Sequence, residues 1–360
     1  MCRQHATPDL PMRLWNPRPE VVLPASDVPR PIVPVVDGHN HLGRWLTDDG
    51  GWMTPDLGAL LGVMEERNVQ HIVNLDGRWG DELRENVARY DGAHPGRFST
   101  FCHLDWRLLA GPRPTARLVD SLHDAVVAGA KGIKVWKDLG LHVRDHRGTL
   151  VMPDDRRLIP VWEAAGALGL PICIHTADPV AFFEPLDERN ERLDELSEVP
   201  GWWFGDRTRF PTFRRLMASL ERAVAASPTT RFMGAHVGGY AENLGWVDRM
   251  LTTYPNFAVD IGGRLGELGR QPRAFRRLVV DHPDRVIFGT DCFPVDSAAY
   301  ALHFRFLESS DEHFAYWPGD ETAPQGRWHV SAVHLPAAVL RKVYAGNARR
   351  FLGIRVASAI

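Results

Sequence analysis

The chain has 360 residues, 44% of them hydrophobic and 24% charged, an ordinary globular balance with ample length for a large core. A net charge of −3 gives no reason to expect nucleic acid or an anionic membrane as partner, and no apolar run approaches the ~20 residues of a membrane span. The N-terminus lacks the apolar core of a signal peptide, and the four cysteines (Cys2, Cys102, Cys173, Cys292) are scattered without a CxxC pair, so a cytoplasmic protein with free thiols is expected.

Residues 1–34 carry eight prolines and read as an extended arm, followed by one body over 35–355. The first strand candidate, "IVPVVDGH", leads into His39 and His41. In a strand, side chains i and i+2 share a face, so the two imidazoles would point the same way. The next segment, "TPDLGALLGVMEERN", has helical spacing, with Thr54 as candidate N-cap and Pro55 at the first helical position. The second strand, "VQHIVNL", is followed by "DGRWGDE", whose glycines are explained by turn chemistry alone. The third, "RFSTFCHL", is followed by the helical pattern "TARLVDSLHDAVVAGA".

The fourth strand lies in "KGIKVWK". Of 42 basic residues only Lys131, Lys134, Lys137 and Lys342 are lysines, so 38 are arginines, and three of the four lysines fall in this run. Unlike Arg, a buried Lys can lose its proton and act as a base or be modified to a carbamate. Lys134 is the strand residue, and Lys137, in the loop beyond, is expected by strand parity to face away from it. The remaining strands end in "PICIHTADP", "RFMGAHVGGY", "NFAVDIGGR" and "RVIFGTDCFP", which place His175, His236, Arg264 and Asp291 at or just beyond strand ends. Long insertions follow strand five (176–211, rich in Phe and Trp) and strand eight (293–334). Aromatic content favours an ordered lid or a subunit contact for the first, so a homodimer is an option.

Strand and helix alternate eight times, which predicts an α/β fold, a single (β/α)8 TIM-type barrel. Its C-terminal strand ends ring one opening. His39, His41, Lys134, His175, His236 and Asp291 would therefore meet there, and imidazole and carboxylate together are ligands for Zn, Mn or Fe. Arg264 is a candidate reader of a substrate carboxylate, although a surface arginine is an equal alternative. Trp136, Trp79 and the aromatics of the first insertion are candidates for lining a pocket, with core or lid packing as the ordinary explanation. His103 and His142, single histidines, are left outside the site.

The motifs "DGHNH", "PICIHT", "GAHVGG", "GTDCFP" and "YAGNARRFLG" resemble the amidohydrolase superfamily, in particular the amidohydrolase-related branch of the aminocarboxymuconate-semialdehyde decarboxylase relatives. The resemblance spans nearly the whole body. It implies one or two divalent metal ions, zinc first, with His39, His41, His175 and Asp291 as ligands. Asp291 also takes a proton from water, and His236 orients or activates water or substrate. Lys134 falls where two-metal members carry a bridging carbamylated lysine. Otherwise Lys134, or Lys137, would bind a substrate carboxylate. The implied activity is hydrolysis of a small amide, ester or lactone by activated water. The alternative is non-oxidative decarboxylation of a small aromatic or semialdehyde acid. The intact set of ligands argues against a barrel that merely binds a small molecule.

Overall fold

The computed structural model describes residues 11, 19–317, 323 and 325–354. Cys2, most of residues 1–18 of the arm and the body's boundary at 355 lie outside the described residues. Eight short runs of apolar residues form eight parallel strands: β1 (Val35–Asn40), β2 (Val69–Asn74), β3 (Phe98–Cys102), β4 (Gly132–Val135), β5 (Ile172–Ile174), β6 (Phe232–Gly234), β7 (Phe257–Asp260) and β8 (Val286–Ile287). Neighbours in sequence are neighbours in the sheet. The ring is closed by the Gly38 N–H donating to Phe288 O (2.8 Å) and the Asp291 N–H to His39 O (2.9 Å). The fold is the expected (β/α)8 barrel.

The crossover helices are α1 (Leu57–Glu66), α2 (Gly80–Val87), α3 (Pro114–Val127), α4 (Ile159–Ala167), α5 (Phe213–Ala226), α6 (Leu244–Thr253) and α7 (Pro272–Asp281). Each turns an apolar stripe toward the sheet; on α5 it is Phe213, Leu216, Met217, Leu220, Ala223 and Val224. The start of α1 differs from the reading of the sequence. Asp56, not Thr54, is the N-cap, and its carboxylate accepts from the Ala59 N–H. Pro55 therefore precedes the helix, and the cap sits at the last residue able to bond the first turn.

Two apolar layers result. One packs between strands and helices. The other fills the barrel with Val36, Val73, Phe101, Met233 and Ile287, and is continuous with Ala348, Phe351 and Leu352 of the C-terminal helical segment. The polar strand ends lie at the opposite mouth.

The arm is pinned to the body: the Ser26 N–H and Oγ donate to Asp311 (both 2.7 Å), and Arg67 Nη1 donates to Pro29 O (2.8 Å). The first insertion is ordered around its own apolar cluster, which includes Phe182, Phe183, Phe204 and Phe210. It is tied to the segment after β7 by the buried pair Arg192–Glu267 and by Arg270–Glu191 (2.7 Å). It is tied to the second insertion by Arg327–Asp194 (2.6 Å). Cys102 and Cys173 are buried free thiols and Cys292 is half-buried. Among the described residues no helix is long and apolar enough to cross a membrane.

His71, in the first half of β2, is buried, with Nδ1 2.9 Å from Gly96 O and Nε2 2.9 Å from Ser99 Oγ. A carbonyl only accepts, so Nδ1 carries the proton and Nε2 accepts from the hydroxyl. Burial lowers its pKa from 6.5 to about 4, the Gly96 carbonyl opposing. The unfolded chain thus binds the extra proton at higher pH than the native one. His71 should therefore leave stability intact above about pH 6.5 and erode it as pH falls toward 4, by up to about 3 kcal/mol. Urea denaturation at pH 7.5 and pH 4.5 should show that loss, and His71→Gln should show a smaller one.

Candidate active site

His39 and His41 do converge, although β1 carries a register shift between Asp37 and Asn40. Each ring is held by a carboxylate from another strand end. His39 Nδ1 lies 2.9 Å from Asp260 Oδ2, at the end of β7, and His41 Nδ1 lies 2.7 Å from Asp76 Oδ1, just beyond β2. An ionised carboxylate accepts, so Nδ1 is the proton-bearing atom and Nε2 is turned into the barrel mouth. The two carboxylates are themselves fixed. Asp260 Oδ1 accepts the His236 and Gly262 N–H groups (3.0 and 2.9 Å), and Asp76 Oδ1 accepts Trp45 Nε1–H (2.7 Å).

Asp291, after β8, faces both rings. Its Oδ1 is 3.4 Å from His39 Nε2 and 3.3 Å from His41 Nε2. Burial alone would raise its pKa, but His39 and His41 hold it below the usual carboxylate range. Burial likewise opposes charge on His41, yet Asp76 and Asp291 raise its pKa to about 9. The pocket therefore favours a positive charge at its centre. Ligand atoms of His39, His41 and Asp291 all lie within 4.8 Å of one another. His41 Nε2 and Asp291 Oδ1 are buried and, among the described residues, have no hydrogen-bond partner. Buried polar atoms left unpaired are costly, and two that converge with opposite acidity suit a divalent cation. A second group of the same spread, His39, Cys173 and Asp260, is accounted for by the His39–Asp260 bond.

The other expected residues fall around this set. The His175 ring is 4.3 Å from that of His236, and both its nitrogens are buried without a hydrogen bond among the described residues. Its Nε2 is 3.4 Å from Asp178 Oδ1 without hydrogen-bond alignment. Lys134 is buried inside the barrel, its Nζ 3.3 Å from His39 Nε2 and 3.7 Å from Cys173 Sγ. Lys137 lies in the loop beyond β4, which stops at Val135. The loop turns its Nζ to Asp178 Oδ2 (2.7 Å) and over the Trp202 ring (4.3 Å). Trp136 packs edge-on to His41 (5.3 Å) and His175 (5.6 Å).

Arg264 is not a surface arginine. It is 8% exposed, donates to Gly263 O (2.8 Å), and no carboxylate pairs with it among the described residues. Its pKa is lowered by burial and then by Arg192. His236 Nδ1 is 2.8 Å from Gly262 O and must donate to it. Burial, His175 and Arg264 push its pKa well below 6.5, so the ring is neutral. The free Nε2 is then an acceptor. His236 can orient water or take a proton, but it cannot polarise a carbonyl by donation.

A family model described as amidohydrolase matches residues 54–354. The chain belongs to the amidohydrolase family. No curated protein matches it. Among solved structures, this amidohydrolase is similar to a dihydroxybenzoic acid decarboxylase from Polaromonas sp. JS666 with bound manganese and the inhibitor 2-nitroresorcinol. The identity is 15%, covering 91% of this chain and 98% of the other, with a TM-score of 0.56. A 2,6-dihydroxybenzoate decarboxylase from Rhizobium is also 15% identical, with coverage of 89% and 99% and a TM-score of 0.55. An amidohydrolase from Burkholderia multivorans with bound zinc is 14% identical, with coverage of 90% and 100% and a TM-score of 0.51. At these identities the likeness establishes the shared barrel.

A cavity of about 270 Å³ opens beside Lys134 and Trp136 toward the loops after β2 and β3. Trp79 lines it, and so does His103, which the reading of the sequence left aside. The signal was there: "RFSTFCHL" carries a histidine just past the strand, as the other site-bearing strands do. His142 packs against Phe204 and Phe210. The buried Phe side chains of the first insertion form its core and do not line this cavity.

The fit around His39 leaves no slack. A Cβ at Gly289 would lie 2.7 Å from His39 Cβ and 3.2 Å from its backbone nitrogen. Gly289→Ala should therefore displace β1 from β8 and cost roughly 1–3 kcal/mol in urea denaturation, as overpacking does elsewhere.

Proposed function

We propose that this amidohydrolase is a metal-dependent hydrolase that uses one divalent ion, zinc before manganese or iron, on a small amide, ester or lactone. The observation that carries the reading is the convergence of two imidazole Nε2 atoms on one Asp291 oxygen, with both Nδ1–H groups fixed by Asp260 and Asp76. His39, His41 and Asp291 would hold the ion, joined by His175, whose nitrogens have no hydrogen bond among the described residues. A divalent ion bound there supplies Lewis acidity, which polarises a carbonyl and lowers the pKa of water from 15.7 toward about 7.

The chain's own groups do the rest. Asp291, ionised at neutral pH, accepts the proton of the attacking water and returns it to the leaving group. The neutral His236 accepts a hydrogen bond at Nε2 and orients that water or the substrate. Lys134, Lys137 and Arg264 supply positive charge around the mouth, and Arg264 stabilises an anionic substrate group. Trp136 closes one side of the site against solvent. A second reading, non-oxidative decarboxylation of a small acid, is favoured by Arg264, a buried cation with no ion-pair partner among the described residues. There Arg264 holds a substrate carboxylate, and Asp291, once it has taken a proton from water or a substrate hydroxyl, passes that proton to the carbon that loses CO2.

Elemental analysis of protein prepared with bicarbonate and without chelator should give about one ion per chain, retained in Lys134→Ala and lost in Asp291→Ala. Two ions, falling to one or none in Lys134→Ala, would mean a carbamate bridge at Lys134. No ion after reconstitution would sink the metal reading. Substrate panels then separate the reactions: acid release from esters, lactones or amides supports hydrolysis, and CO2 release from aromatic acids supports the second reading. Asp260→Asn places an amide opposite His39 Nδ1 and favours the wrong tautomer. It should weaken metal affinity by roughly 10–100-fold while leaving the fold intact by circular dichroism.

A further inference from the structure

Arg264 is the N-cap residue of a short helix, Leu265–Arg270, and Glu267 stands in its first turn, three residues on. At that spacing a glutamate side chain reaches back toward the cap, so Glu267 is the carboxylate that local geometry offers to Arg264. That pair is not made. Arg192, from the first insertion, takes Glu267 instead, Nη2 against Oε1, between side chains that are each 1% exposed. Arg192 Nη1 donates to Glu195 Oε2 (2.7 Å), on the same insertion. One guanidinium thus holds two carboxylates.

Arg264 lies inside the same field of charge. Burial raises the pKa of Glu195, and Arg192 and then Arg264 oppose the rise, so both guanidinium groups act on it. Glu242, Asp178 and Asp291 act on Arg264 in turn. Each of these three is engaged elsewhere. Glu242 accepts the Val180 N–H (2.9 Å), and Asp178 Oδ2 takes Lys137 Nζ (2.7 Å). Asp291 Oδ1 faces His39 and His41 (3.4 and 3.3 Å). Arg264 Nη1 is left with a carbonyl, Gly263 O (2.8 Å), which also takes Gln325 Nε2–H (3.0 Å).

Glu267 is a competitor held in check. Its Oε2 is buried with no hydrogen bond among the described residues, so it would accept any donor within reach. A buried carboxylate stripped of its cation is costly, and it recruits a replacement where one is at hand. For Glu267 that replacement is Arg264, at the start of its own helix. The occupied fork of Arg192 is what keeps the two apart.

We propose that Arg192 is a positioning residue: by engaging Glu267 and Glu195 it keeps Arg264 unpaired, and so open to a substrate anion. The proposal rests on the reading above for what Arg264 binds, but the pairing it describes depends on neither metal nor reaction. The first insertion then acts on the mouth through charge, by withholding two carboxylates from the one cation that needs to stay free.

The test compares propionate with propionamide, its uncharged analogue, by calorimetry on the full chain, with metal content matched across variants. Wild type should prefer propionate. Arg264→Gln and Arg192→Met should each cut that preference by about tenfold or more, the scale of a lost hydrogen bond to a charged group. The triple variant Arg192→Met/Glu195→Gln/Glu267→Gln removes the cation and both competitors. It should return to within about threefold of wild type, which a merely structural role for Arg192 would not allow. A crystal structure of Arg192→Met should show Arg264 paired with Glu267 or Glu195. Should Arg192→Met not fold, Arg192→Met/Glu195→Gln, which frees one carboxylate instead of two, takes its place with the same expectations. Where Arg264→Gln shows the loss, an unchanged preference in the Arg192 variant overturns the proposal, and so does a triple variant that fails to recover. An Arg264 that stays apart from both carboxylates in the crystal structure overturns it in every case. If Arg264→Gln binds as wild type does, the anion reading fails by itself, and the crystal structure decides whether Arg192 keeps Arg264 unpaired.

Discussion

The site depends on carboxylates that never face the mouth as free ligands. Asp260 and Asp76 hold the Nδ1 atoms of His39 and His41, and everything else follows from that constraint. A histidine at a strand end has two nitrogens and a free χ2, so position alone does not decide which atom it presents. The carboxylates decide it. Asp260 does more, because its second oxygen binds the backbone N–H groups of His236 and Gly262. One side chain thus couples β1, the turn after β6 and the glycine turn after β7. Its two oxygens thus position three segments at once.

The barrel was legible in the sequence because each strand is a short apolar run between helices with clear 3.6-residue spacing, and parallel order follows from that alternation. The strand-end residues were legible for the same reason: the architecture brings them to one rim whatever their separation in the chain. The partners were not. Asp76 and Asp260 meet the histidines across strands, and only register reveals such pairing. Lys137 was legible as a loop residue beyond the strand, but the partner to which that loop turns its ammonium, Asp178, is a tertiary contact. Arg264 was ambiguous because 38 arginines dilute the meaning of any one. Burial with no carboxylate partner among the described residues sets it apart, and burial is a tertiary fact.

The two insertions break the symmetry of the mouth. Arg192, Glu191 and Asp194 of the first meet Glu267, Arg270 and Arg327, so the β5, β7 and β8 sides are tied together by charge. Such pairs add little net stability once desolvation is counted, but they fix geometry, since a broken buried pair leaves an uncompensated charge. The insertion's own apolar cluster keeps it packed under them. The tryptophan-lined cavity opens on the side of β2, β3 and β4.

Backbone strain follows the same division. Arg78, Ala177, His236, Val237 and Asp291 are non-glycine residues with φ between 52 and 62, and each lies just after a strand. Such conformations cost energy and persist only where surrounding contacts over-determine them. The contacts are visible: Asp260 holds the His236 backbone, His39 O accepts the Asp291 N–H, and the His103 N–H holds Arg78 O. A regular strand would carry His236 and Asp291 onward along the barrel wall. The left-handed turn instead brings each side chain back over the opening, where the Nε2 atoms of His39 and His41 wait. The site is assembled by bending strand ends inward, and the bends hold because β1 and β7, which pack beside them, supply the hydrogen bonds that the bent strands lose.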